Sequence, residues 1–193
     1  MPISPEQEAL EAQRDAQEVH RYAVWGIIPD NVLSRIKKVM EGLREEFGGP
    51  EVEPHITMVG SCLMTEDEAI NTFRGACNAI KQFYCKVDNL ETSQFYFQCV
   101  SLVIEISEDL RWETLRFAGC MGRPFPCMPH LSLLYGYLTE EEKKRAQEKV
   151  LAMDESITDL GFTLSRAALY RVNFADRTQK SWEKILECNL RVN

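Results

Sequence analysis

One stretch of this sequence occurs twice, and the two copies constrain the fold more than any other feature. The first copy reads PHITMVGSCLMTEDE from Pro54 to Glu68, and the second reads PHLSLLYGYLTEEE from Pro129 to Glu142. With one gap after the hydrophobic run, both present a histidine, an aliphatic residue, a hydroxyl residue, a hydrophobic run and an acidic stretch. The duplication predicts two related halves, each with a strand, a turn and a helix.

Each copy carries its own signals for local structure. Side chains two residues apart in a strand share a face, so His55 is expected beside Thr57 and His130 beside Ser132. Both copies end in a capping box, in which a threonine is followed three residues later by a glutamate, and this pattern predicts a helix start. The boxes are Thr65 with Glu68 and Thr139 with Glu142.

The remaining segments alternate between strand and helix patterns. Predicted strands cover residues 20–28, 54–62, 83–90, 95–106, 161–172 and 182–190, with a turn at 89–93. Predicted helices cover a segment capped by Asp30 and stopped at 48–50, then 65–82, 108–119 and 140–153. Adjacent strand pairs argue against a doubly wound sheet, so the fold class is α+β with duplicated halves. We expect residues 1–18 to be a polar tail and residues 19–193 to be a single bilobal domain.

Composition narrows the possible partners. The 193 residues carry a net charge of −8, which argues against binding of long nucleic acid, since that needs clustered Lys and Arg. A small anionic ligand needs only a local site. No stretch has the length of a membrane span, and the polar N-terminus does not resemble a signal peptide. We therefore expect a cytoplasmic protein, a monomer, with no membrane partner.

Seven cysteines and three histidines show no zinc-binding spacing. Without a CxxC pattern, and in a reducing compartment, the cysteines are expected to be mostly buried thiols. No metal site and no cofactor are predicted. His20 lacks a spaced partner and is expected to lie at the surface.

Two histidines with adjacent hydroxyls suit chemistry at a phosphate. One imidazole can take a proton from water while the other gives one to the leaving oxygen. The hydroxyls of Thr57 and Ser132 can donate to the phosphate oxygens, where charge develops in the transition state. No GxSxG motif for a serine hydrolase is present. The alternative is that both histidines are structural residues on duplicated strands. The matched sequence contexts of the two copies argue against this alternative.

At these residues the sequence resembles the two-histidine phosphoesterase superfamily, and most closely its plant-type cyclic phosphodiesterases. The resemblance runs from about Tyr22 to Leu190. It is carried by YAVWGIIP, PHITMV, FYFQCV, MPHLSLLYG, LTEEEKKRAQEK and ECNL. It implies two antiparallel β-sheets related by a pseudo-twofold, with helices outside and an active-site cleft between the lobes.

The resemblance also implies an activity, the hydrolysis of small cyclic phosphates. These are ADP-ribose 1″,2″-cyclic phosphate, a by-product of tRNA splicing, and nucleoside 2′,3′-cyclic phosphates. Catalytic roles map to His55 and His130, with His130 assigned as the base and His55 as the acid. Phosphate binding maps to Thr57 and Ser132, and substrate binding to the aromatic residues Trp25, Phe97 and Tyr135. From its position alone, Tyr135 would face away from the site unless the strand end turns it.

The resemblance further implies a disulfide between Cys77 and Cys188, which a reducing compartment would oppose. A second family pair lies in the loop before the second motif, where Cys120 and Cys127 are displaced. Arg123 in this loop could reach a phosphate, although a solvated loop arginine is the simpler expectation.

Two other functions fit the same pattern. One is an RNA-directed phosphoesterase acting on 2′,3′-cyclic phosphate ends or on 2′-5′ bonds, against which the acidic composition counts. The other is a non-catalytic nucleotide-binding module, for which two intact acid–base motifs would be unnecessary.

Overall fold

The described part of the chain, residues 3–122 and 128–192 of this computed structural model, contains five α-helices and eight strands. The helices are α1 (Pro5–Gln17), α2 (Asp30–Phe47), α3 (Glu66–Ala79), α4 (Glu108–Cys120) and α5 (Glu140–Met153). The strands are β1 (Val19–Ile27), β2 (His55–Thr65), β3 (Phe83–Thr92), β4 (Val100–Ile104), β5 (His130–Leu134), β6 (Gly161–Leu164), β7 (Arg166–Arg171) and β8 (Glu183–Asn189). Two of these strands, β2 and β5, begin at the motif histidines.

The strands form one curled antiparallel sheet in the order β6-β3-β4-β5-β2-β1-β7-β8. β2 and β5 are its central strands, and they meet at a single residue pair, Ile56 with Leu131. Three more strands extend outward on each side, which gives two four-stranded halves related by a pseudo-twofold. The predicted α+β bilobal fold is confirmed, and its two sheets are the halves of one continuous sheet.

The two faces of the sheet have different neighbours. Along β1, Tyr22 and Val24 lie in the main hydrophobic core, to which α2, α3, α4 and α5 contribute their buried side chains. Ala23 and Trp25 alternate with them and belong to a smaller cluster on the opposite face. This period-two alternation places the helices on one side of the sheet and leaves the other face for a cleft.

Helix starts follow the local signals in most places. Both predicted capping boxes are present, with reciprocal hydrogen bonds between Thr65 and Glu68 and between Thr139 and Glu142. The N-terminal segment forms the exposed helix α1 behind a further capping box of Ser4 and Gln7. The prediction that Asp30 caps α2 was wrong, because Pro29 is the N-cap residue and Asp30 is already helical.

Three predictions about strands were wrong. The segment 95–106 begins with a 3₁₀ turn at Tyr96–Gln98, because the Ser93 hydroxyl donates to the Gln98 carbonyl and accepts from the Phe95 amide. The segment 161–172 is two strands, since β6 pairs with β3 while β7 pairs with β1 and β8. The turn expected at 89–93 is mostly strand, because β3 continues to Thr92 alongside β4.

Candidate active site

The two motif histidines lie at the start of the two central strands, and both rings are anchored in the same way. Nδ1 of His55 lies 2.7 Å from the Glu53 carbonyl oxygen, and Nδ1 of His130 lies 2.8 Å from the Met128 carbonyl oxygen. A carbonyl oxygen only accepts, so each Nδ1 carries the proton and donates it. Both rings are therefore held in the tautomer that leaves Nε2 to exchange a proton with a ligand.

A cleft on the face of the sheet opposite the main core brings the predicted site residues together. It encloses a cavity of about 220 Å³ between the two halves. Its lining includes every residue to which the sequence assigned a catalytic, phosphate-binding or substrate-binding role: His55, Thr57, His130, Ser132, Trp25, Phe97 and Tyr135.

Each motif histidine and its hydroxyl residue form one half-site. In the second half-site, formed by His130 and Ser132, the Ser132 hydroxyl already contacts other groups of the protein. It donates to the Phe97 carbonyl oxygen over 2.7 Å, and it also interacts with the Tyr135 side chain. Tyr135 follows the last residue of β5, so the strand end turns its side chain into the cleft. Burial raises the pKa of Tyr135, so its hydroxyl stays protonated and is a further donor beside Ser132. To donate to a phosphate, Ser132 must release the Phe97 carbonyl.

Trp25 supports His55 and has no free ring face. The His55 imidazole stacks on the indole with centroids 3.5 Å apart and planes 3° apart, and Tyr170 stacks on it at 3.8 Å. β1 lies between β2 and β7, so these two rings cover opposite faces. Trp25 lines the cavity, and its role in substrate binding stays a prediction, with both faces of the indole covered by other rings. The stacking on Trp25 fixes the plane of the His55 ring.

The electrostatic environment of His55 favours the neutral form. Burial lowers the pKa of His55 to about 4, the hydrogen bond to the Glu53 carbonyl opposes this change, and the nearby His130 adds to it. A neutral imidazole can accept a proton but has none on Nε2 to give. The free site therefore does not favour the assignment of His55 as the acid.

The chain is 42% identical over 171 residues to a protein from Arabidopsis thaliana named cyclic phosphodiesterase. The match covers 88% of this chain and 94% of the relative. The chain belongs to the cyclic phosphodiesterase family of two-histidine phosphoesterases. No protein-family model matches it.

Solved structures share the cyclic phosphodiesterase fold seen here. Escherichia coli LigT complexed with phosphate superposes with a TM-score of 0.57 at 13% identity, covering 90% of this chain and 98% of LigT. The TT0787 protein of Thermus thermophilus superposes with a TM-score of 0.50 at 14% identity, covering 90% of this chain and 99% of TT0787. At these identities the likeness concerns the fold alone.

Three residues of this cyclic phosphodiesterase cleft were not found from the sequence. Phe174, Gln179 and Trp182 come from the loop 172–182 between β7 and β8 and line the cavity. The Asp176 carboxylate organises this loop by accepting hydrogen bonds from the amides and hydroxyls of Thr178 and Ser181. The D-x-T pattern could have indicated a tight turn. No local signal places that turn over a cleft.

The same loop is attached to the other half of the sheet. The Tyr96 hydroxyl donates to the Arg177 carbonyl oxygen over 3.1 Å. The Arg177 guanidinium lies over the rings of Tyr96 and Tyr137. Together these contacts connect the loop 172–182 to the half of the sheet that contains β5.

The predicted cysteine pair lies away from the cleft, where α3 packs on β8. Cys77 and Cys188 are thiols in mutual contact, and burial, followed by the neighbouring Cys188, raises the pKa of Cys77 to about 12. A disulfide between them stays a prediction. Cys120 is an exposed thiol. Arg123 and Cys127 lie outside the described residues.

Among the described residues, no three His, Cys, Asp or Glu side chains converge as metal ligands would. In the same part of the chain, no helix is both long and apolar enough to span a membrane.

Proposed function

We propose that this cyclic phosphodiesterase hydrolyses small cyclic phosphates on ribose. The substrates are ADP-ribose 1″,2″-cyclic phosphate, opened to ADP-ribose 1″-phosphate, and nucleoside 2′,3′-cyclic phosphates, opened to 2′-phosphates. One observation carries the proposal: two imidazoles, each with Nδ1 anchored on a main-chain carbonyl, line one small cleft with two hydroxyl residues. Such a pair can supply both proton transfers that opening a cyclic phosphodiester requires.

The free site favours one direction for these transfers. His55 is neutral because of its burial, so its Nε2 can take a proton from water as the water oxygen bonds to phosphorus. The bond from phosphorus to the leaving oxygen breaks, and Nε2–H of His130 gives its proton to that oxygen. The leaving oxygen is the 3′ oxygen of a nucleoside 2′,3′-cyclic phosphate or the 2″ oxygen of ADP-ribose 1″,2″-cyclic phosphate. His130 is half-buried, so its ring is more accessible to solvent than that of His55. This direction reverses the assignment suggested by the resemblance.

Donors around the phosphate stabilise the charge that builds on its non-bridging oxygens. Thr57 lies two residues along β2 from His55, and Ser132 lies two residues along β5 from His130. The buried Tyr135 hydroxyl contacts Ser132 and can donate to its oxygen while Ser132 donates to the phosphate. Loss of a preorganised donor of this kind lowers kcat by about 10²–10³-fold in other enzymes.

The test is hydrolysis of adenosine 2′,3′-cyclic phosphate and of ADP-ribose 1″,2″-cyclic phosphate in EDTA. Wild type is compared with His55→Ala and His130→Ala, and the products are identified by phosphorus NMR. We expect turnover by wild type only, with the phosphate left on the 2′ or 1″ oxygen. Turnover that both alanine variants retain would refute the proposal. With no wild-type turnover, an oligonucleotide ending in a cyclic phosphate tests the RNA-directed alternative.

A further inference from the structure

Gln179 stands out among the residues of the cleft because its side chain is buried without a partner. The residue is 8% exposed and lines the same cavity as the two histidines. Its amide nitrogen and its amide oxygen are both buried, and neither has a hydrogen-bond partner among the described residues. A buried polar group left unpaired costs about 1–3 kcal/mol. The unpaired carboxamide of Gln179 therefore destabilises the folded protein, and no contact among the described residues offsets this cost.

The backbone of Gln179 adds a second cost. Its φ is 59°, and among the described residues it is the one non-glycine residue with a positive φ. Such a conformation costs about 1–3 kcal/mol for an ordinary residue and persists only where the surroundings impose it. The loop imposes it through two main-chain hydrogen bonds, from the Gln179 amide to the Asp176 carbonyl and from the Trp182 amide to the Gln179 carbonyl.

Three aromatic rings line the same cavity as Gln179. Phe97 lies 5.8 Å from Trp182 and 6.0 Å from Phe174 between ring centroids, and all three rings line the cavity. Phe174 remains 41% exposed, so part of its ring is open to a ligand. Flat apolar walls of this kind suit a planar ligand such as a nucleobase.

A carboxamide presents one donor and one acceptor side by side, and this discriminates between ligand groups. The oxygens of a phosphodiester anion only accept, so a phosphate would satisfy the amide nitrogen and leave the amide oxygen unpaired. The edge of a nucleobase offers a donor next to an acceptor and can pair with both atoms. Of these two groups, only the nucleobase edge pairs with both amide atoms and offsets the cost of leaving them unpaired.

We propose that Gln179 binds the edge of the substrate's nucleobase while the base packs on the aromatic wall of the cleft. This inference rests on the proposed function and concerns its nucleoside 2′,3′-cyclic phosphate substrates, in which the base is attached to the reacting ribose. Gln179 is a specificity-determining residue in this scheme, and it takes no part in the proton transfers.

The test compares two substrates that differ only in the base. They are adenosine 2′,3′-cyclic phosphate and 1-O-methylribose 2,3-cyclic phosphate, assayed with wild type and with Gln179→Leu. Two lost hydrogen bonds predict a fall in kcat/KM of about tenfold to a hundredfold on the adenosine substrate, mainly through KM. On the base-free substrate we expect no change. Equal losses on both substrates, or no loss on either, would overturn the inference.

Further variants separate recognition from structure. Gln179→Gly removes the amide and also relieves the positive φ, so we expect the same substrate-selective loss together with a raised melting temperature. Gln98→Leu is the matched control, because Gln98 also lines the cleft but is half-buried. It should affect both substrates equally. A lowered melting temperature for Gln179→Gly would indicate a structural role instead.

Binding measurements keep the two proposals distinguishable. Calorimetric titration with adenosine 2′-phosphate and with inorganic phosphate needs no turnover. Gln179→Leu should weaken the binding of adenosine 2′-phosphate by about tenfold to a hundredfold and leave the binding of inorganic phosphate unchanged. If wild type hydrolyses neither cyclic phosphate but shows this selective binding, the proposed function fails and base recognition stands. If both ligands weaken equally, base recognition fails.

Discussion

The two half-sites have the same motif and the same ring anchoring, yet they differ in burial. His55 is 9% exposed and stacks on Trp25, whereas His130 is half-buried beside Ser132. The Nδ1 bonds reach a carbonyl only two residues away, so the local backbone reproduces them in both copies. Burial depends on neighbouring strands, and β1 and β4 supply different side chains. A duplicated sequence can therefore give matched ring anchoring with unequal burial of the two histidines.

The largest expected effect is the loss of kcat in the two histidine variants. A change of the leaving group then distinguishes the acid from the base. On adenosine 2′,3′-cyclic phosphate, His55→Ala and His130→Ala should each lower kcat by about 10²–10⁴-fold. Catechol cyclic phosphate expels a phenolate, which needs little help from an acid. On this substrate, steady-state assays should show that His130→Ala recovers most of its loss and His55→Ala does not. Recovery by His55→Ala instead would restore the roles implied by the resemblance.

The burial of His55 should also make the free energy of unfolding depend on pH. Its folded pKa of about 4 lies below the ordinary value of 6.5, so the unfolded chain binds a proton that the folded chain does not between these values. The resulting contribution of His55 to the free energy of unfolding is complete above pH 6.5 and is lost as the pH falls toward 4. This contribution is at most about 3 kcal/mol. In urea unfolding at pH 7 and pH 4.5, wild type should lose more stability than His55→Gln. Parallel losses in the two proteins would show that His55 is not buried in the neutral form.

Removal of the Trp25 ring should make the two histidines more alike in their exposure to solvent. Trp25→Leu exposes the His55 imidazole, so its pKa should rise toward 6.5. An indole face also attracts a cation, by up to about 2 kcal/mol, but this is less than the roughly 3 kcal/mol of the burial effect. The kcat/KM profile should be bell-shaped, with an acidic limb that moves to higher pH by about one unit in the variant.

Tyr170→Leu is the control for this change, because Tyr170 covers the opposite face of Trp25. It should shift the acidic limb by less than Trp25→Leu does. A flat wild-type profile between about pH 5 and pH 9 would rule out the two-histidine acid–base scheme.

The smallest effect is expected at the cysteine pair of the His55 half. Cys77 and Cys188 lie between α3 and β8 as thiols, away from the cleft. We expect Cys188→Ser to leave kcat unchanged, and we expect dithiothreitol to leave the melting temperature of wild type unchanged. Since a disulfide typically contributes about 2–4 kcal/mol, a melting temperature that falls on reduction would reveal a bridge.

Sequence patterns predicted those features that depend on a few neighbouring residues. The capping boxes at Thr65 and Thr139 needed only a residue and its partner three positions later. The strand after each Pro-His followed from composition, and the duplication led to the bilobal fold. One error occurred where distant partners decide, at Ser165, where one predicted strand divides because its two parts pair with different strands. The errors at Asp30 and at 95–106 came from neighbouring residues, Pro29 and Ser93.

The sequence by itself determined the chemistry that we propose for this chain, because it contains the two matched His-x-hydroxyl motifs on which the proposal rests. Only the tertiary structure decided how the two histidines differ and what surrounds them. Trp25 covers His55 because β1 pairs with β2, and Gln179 reaches the cleft because the loop 172–182 crosses to Tyr96. Burial and substrate contact are made by residues far apart in the chain, so no local pattern encodes them.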